Sequence, residues 1–105
     1  METYIVIVEC CDLPQGGRLY GAFAPDVPGC TATGKTLDEA LSQMRANLEA
    51  VFRSLRRAGR EIPQAHSLEY HKEYFEDADT FFLGANSIVA MIDVQVSYRR
   101  LVRAA

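Results

Sequence analysis

No stretch of this sequence approaches the run of about twenty apolar residues that spans a bilayer. Met1 leads at once into a strand-like pattern, not into a charged and then apolar leader. Both observations point to a cytoplasmic protein. Cysteine is scarce: Cys10, Cys11 and Cys30 make an odd count with no C-x-x-C spacing, which suits a reducing compartment better than a disulfide scaffold. Cys10 and Cys11 are neighbours in a strand-like run, so their side chains point to opposite faces and read as structural or incidental thiols. Basic residues are the minority, 11 against 14 acidic, for a net charge of −3. That balance argues against a nucleic-acid binder, whose affinity comes from clustered Lys and Arg, and suits a basic partner better.

The signatures of common chemistries are missing as well. No serine sits in a nucleophile elbow, and the glycines fit neither a phosphate loop nor a dinucleotide fingerprint. Carboxylates do not cluster: Glu9 ends the first strand, Asp26 lies in a turn and Asp93 is alone on its strand, so a two-metal nuclease is disfavoured. The two histidines, His66 and His71, would stand about 140° apart around a helix. With no third ligand near them in sequence, they read as exposed polar residues. The expectation is a protein that is not an enzyme, with no catalytic, cofactor or metal site.

What is present is architecture. At 105 residues the chain suits one domain spanning residues 1–105, and it shows no internal repeat, low-complexity segment or linker. The run Thr3–Cys10 is β-branched, aromatic and nearly continuous in its apolarity, as a central strand buried on both faces would be. The turn-forming DLPQGG leads into a second strand, Arg18–Ala24. After Pro25-Asp-Val-Pro-Gly29 comes a short third strand, Cys30–Thr33, ended by Gly34.

A helix is predicted from Leu37 to about Ala58. Its apolar residues Leu37, Leu41, Met44, Leu48, Val51, Phe52 and Leu55 recur at spacings of three and four. Thr36 is placed to cap it, with Glu39 reaching back to the Thr36 N–H. Gly59 suits the left-handed position that closes it, and Pro63 prevents continuation. Arg53, Arg56, Arg57 and Arg60 gather at its end; dipole compensation explains them, and a nucleic-acid contact is the alternative. Residues 64–83 read as a short helix or turns. Ser87–Tyr98 is the last strand, with Ile88, Ala90, Ile92, Val94 and Val96 on one face.

The expected fold is therefore α+β, in the order β-β-β-α-β. It would be a four-stranded mixed sheet with the last strand parallel to the first and the long helix on one face. The other face, if bare, would be an apolar patch suited to self-association as a dimer or tetramer. The stretch around residues 69–82 interleaves acidic with aromatic side chains, as an interface with aromatic anchors and a charged rim does. Tyr70, Glu73, Tyr74, Phe75, Glu76, Asp77 and Asp79 are its partner-contact candidates.

Several of these features together resemble the HicB-like antitoxin family of bacterial type II toxin–antitoxin systems. They are Tyr4-Ile-Val-Ile-Val, Pro25-Asp-Val-Pro-Gly-Cys30, Gly34-x-Thr36-x-x-Glu39-Ala40-Leu41, and Glu61-Ile-Pro63. Ile92-Asp-Val-Gln-Val fits the expected end of the domain. The resemblance implies a degraded, partial ribonuclease-H-like domain. It also implies an antitoxin that binds and neutralises a small basic mRNA-cleaving toxin of the HicA type by covering its active site. Family members often add a C-terminal DNA-binding module; Arg99–Ala105 is too short for one, which makes DNA binding doubtful. The alternative is an orphan homo-oligomeric binding module of the same fold without a toxin partner.

Overall fold

A computed structural model describes residues 2–71 and 87–94. The elements are β1 (Glu2–Asp12), β2 (Arg18–Phe23), β3 (Thr31–Gly34), α1 (Leu37–Arg57) and β4 (Ser87–Val94). The strands form one sheet in the order β3-β2-β1-β4, which confirms the α+β order and the central place of β1. Alternate β1 residues fill two separate clusters. Tyr4, Val6 and Val8 face α1, while Ile5 and Ile7 face the opposite side. All five are almost fully buried, as a two-sided strand requires.

The sheet is antiparallel throughout, which corrects the expectation of a mixed sheet: β4 pairs with β1 from Glu2↔Val94 to Glu9↔Ser87. The reason lies in the connection. Helix α1 delivers the chain to the Glu2 end of β1, where Tyr4 packs on Phe52 and its hydroxyl donates to the Pro63 carbonyl. A direct entry from there would make β4 parallel. Instead the following residues pass to the second face, where Leu68 packs on Ile5 and Ile7, and β4 starts beside Glu9 at the far end. The same passage corrects the bare second face. Phe23, Leu68 and Val89 pack there, leaving Ile5 3% and Ile7 1% exposed.

Helix α1 buries Ala40, Met44, Leu48 and Phe52, one residue per turn, and flanks them with half-buried Leu37, Leu41, Val51 and Leu55. Thr36 Oγ1 accepts the Glu39 N–H at 3.1 Å, as expected of the cap. The Glu39 carboxylate reaches one residue further back than expected, accepting from Lys35 N at 2.9 Å. At the other end Gly59, with φ of 72°, donates to the Arg56 carbonyl and Arg60 donates to that of Leu55. These two bonds form the Schellman closure that satisfies the last carbonyls. No helix among the described residues is long and apolar enough to cross a membrane.

Candidate functional site

Two successive turns build the loop between β2 and β3. In the first, Val27 N donates to the Ala24 carbonyl across Pro25 and Asp26; in the second, Cys30 N donates to the Val27 carbonyl across Pro28 and Gly29. Proline at the second position of each turn presets φ, and Gly29 supplies the positive φ of 88° that the second needs. The consequence is a stiff loop that holds the Asp26 side chain buried, 3% exposed.

Opposite it, the chain after Pro63 forms a helical turn that starts at residue 68. Ser67 caps this turn, its Oγ accepting from Tyr70 N at 3.2 Å. His66 therefore lies just outside the turn and His71 within it. That spacing is the one at which residues flanking a helix cap pack together, as in the hydrophobic staple. The helical-wheel separation of 140° fails because His66 is not helical.

The rings instead converge on one carboxylate. Asp26 Oδ1 lies 2.7 Å from His66 Nδ1 and 3.0 Å from His71 Nε2. Asp26 Oδ2 accepts the main-chain N–H of His66 at 3.0 Å. Burial pushes the Asp26 carboxyl up, and this is the largest single influence. The bonds from the His66 ring and main chain and from His71 together outweigh it, so the group sits below its ordinary value. The expectation of two exposed histidines with no third ligand is thus overturned. His71 is buried, His66 is half-buried, and Asp26, forty residues earlier, is the third group.

A cleft of about 550 Å³ opens beside the cluster, with Phe23, Cys30 and Tyr70 on its walls. Tyr70, an expected partner contact, is 57% exposed and stacks on His66 with ring centroids 4.1 Å apart. The other candidates, Glu73, Tyr74, Phe75, Glu76, Asp77 and Asp79, lie outside the described residues. Arg53, Arg56, Arg57 and Arg60 are exposed at the end of α1 and its cap. Asp93 accepts a hydrogen bond from the Thr3 hydroxyl at 2.6 Å, a cross-strand contact at the sheet surface. Among the described residues no group of carboxylates converges as a two-metal centre would need. Sequence reasoning missed this cluster; the one local signal that could have found it is Ser67, a capping residue between the two histidines.

The sequence profile described as HicB_like antitoxin of bacterial toxin-antitoxin system matches residues 4–103. The chain belongs to the HicB-like antitoxin family. Solved structures agree on the fold. The antitoxin HicB of Burkholderia pseudomallei matches with a TM-score of 0.68 at 20% identity, over 92% of the HicB-like chain and 66% of its own. The chain thus spans just under two-thirds of that relative's length. A toxin–antitoxin complex from Streptococcus pneumoniae matches with a TM-score of 0.68 at 20% identity, covering 98% of this chain and 78% of that one. A HicA3 and HicB3 toxin–antitoxin complex matches with a TM-score of 0.59 at 12% identity, over 89% and 98% of the two chains. No curated protein sequence matches the HicB-like chain.

Proposed function

We propose that this protein is an antitoxin that binds a small basic mRNA-cleaving toxin of the HicA type and neutralises it without catalysing a reaction itself. The observation that carries the reading is the family match across residues 4–103. The net charge of −3 supports it, because an acidic surface attracts a basic ribonuclease and competes with its RNA. The scattered carboxylates agree with a scaffold that binds instead of cutting. Self-association accompanies this role. Strand β4 ends the sheet among the described residues and carries the exposed side chains of Ile88 and Met91, a ready edge for a second copy.

The test is co-expression with the short basic product of a neighbouring gene, read by growth rescue and by co-purification. Rescue with a stable complex, lost when the antitoxin gene is omitted, is the expected outcome. A chain that purifies as a homo-oligomer and neither binds nor rescues from any neighbouring product overturns the reading in favour of an orphan binding module. Size-exclusion chromatography with light scattering checks self-association; a strictly monomeric chain at micromolar concentration removes that part.

A further inference from the structure

We propose that Asp26, His66 and His71 form a binding site for one divalent ion of the zinc class, which fastens residues 63–71 to the loop between β2 and β3. The donor set is the first argument. Two imidazole nitrogens and a carboxylate oxygen suit zinc and its transition-metal neighbours, whereas magnesium and calcium call for oxygen ligands. Convergence is the second. One ring nitrogen from each of His66 and His71 and an Asp26 oxygen all lie within 4.8 Å of one another, on residues from two distant parts of the chain.

The ligands are also fixed before any ion arrives. Asp26 Oδ2 is held by the His66 N–H, which turns Oδ1 toward both rings. The Asp26 side chain is 3% and that of His71 5% exposed, so little solvent has to be displaced. Supporting hydrogen bonds of this kind orient ligands and strengthen metal sites. Ligand atoms of a tetrahedral zinc site stand roughly 3.3 Å apart. The contacts of 2.7 and 3.0 Å to Asp26 open by about 0.6 and 0.3 Å to reach that spacing, while the two ring nitrogens already lie within 4.8 Å of each other. His66, the more exposed partner, stands at the cleft and can make that adjustment. The cleft leaves room for a water as fourth ligand, in the manner of three-ligand zinc sites.

Binding here is folding free energy, because the unfolded chain holds these groups far apart. The ion tightens the crossing from α1 to the second face and leaves the exposed surface of α1 untouched. The inference is independent of the toxin partner, and its readouts need no toxin.

The experiment uses the full, untagged chain stripped with chelator, then titrated with Zn²⁺ by calorimetry and with Co²⁺ by visible absorption. One equivalent per chain at micromolar affinity or tighter, a higher thermal midpoint with Zn²⁺, and four-coordinate Co²⁺ bands without a thiolate charge-transfer band are expected. His66→Gln, at a half-buried position, should keep the native far-ultraviolet spectrum and lose at least about tenfold in affinity. Absence of saturable Zn²⁺ binding by the unaltered chain overturns the proposal and leaves a purely hydrogen-bonded latch. A thiolate band, which would assign the ion to the cysteines, overturns it too, as does unweakened binding by His66→Gln.

Discussion

His66 and His71 face each other edge to plane across the Ser67 cap, with ring centroids 6.0 Å apart and planes at 86°. Their approach depends on Ser67 starting the helical turn between them, because a helix running through all six residues would splay the rings. Ser67→Ala removes the oxygen that accepts from Tyr70 N. The expected loss is about 1 kcal/mol, read by urea unfolding, with faster hydrogen exchange at Tyr70 and His71. Unchanged exchange at those amides would show that the cap does not set the turn.

Asp26 ties this turn to the β2–β3 loop through both carboxylate oxygens. Asp26→Ala removes the carboxylate 3.0 Å from buried His71 Nε2 and frees the His66 N–H. The chain should lose about 2–4 kcal/mol, and Leu68 should loosen from Ile5 and Ile7. Chemical denaturation measures the first effect and methyl chemical shifts of Ile5 and Ile7 the second.

Gly34 and Gly21 provide a controlled comparison. A Cβ at Gly34 would meet Ala40 N at 2.5 Å and Glu39 Cβ at 2.8 Å, so the first turn of α1 would have to move. A Cβ at Gly21 meets nothing within 4 Å. Gly34→Ala should destabilise by about 1–3 kcal/mol, while Gly21→Ala stays within about 0.5 kcal/mol of the unaltered chain. Equal midpoints for the two variants in urea would contradict the close β3–α1 packing.

Cys11 is exposed at the end of β1, whereas Cys30 is buried, and that burial pushes its thiol above the ordinary value. A folded-state value raised in this way means that the unfolded chain loses the proton first. Stability therefore declines as pH rises past the ordinary thiol range toward the raised value. With a thiol-specific chromogenic disulfide at neutral pH, Cys11 should react rapidly and Cys30 only on unfolding. Three equally fast thiols would refute the burial of Cys30.

The relation between sequence and fold shows in particular segments. The stretch from Pro25 to Leu41 writes its own local structure: prolines and glycine dictate two turns, Thr36 starts the helix, and the apolar spacing fixes which face of it is buried. Those signals act over four residues or fewer, so they are legible without knowing what lies across the core. The two-sided apolarity of Tyr4–Val8 placed β1 at the centre for the same reason, since each side chain reports its own need for burial.

Direction and convergence were not legible in this way. Whether β4 runs with or against β1 depends on how far the chain travels after α1, and no local pattern encodes that path. The pairing of Asp26 with two histidines forty and forty-five residues away exists only because the chain wraps around the end of the sheet and brings Leu68 onto Ile5 and Ile7. Residue types and short-range periodicity determined the elements and the family likeness. The tertiary path alone decided the antiparallel sheet, the cover on its second face and the Asp26–His66–His71 cluster, because each joins groups whose contact is set by burial across the fold and not by spacing along the chain.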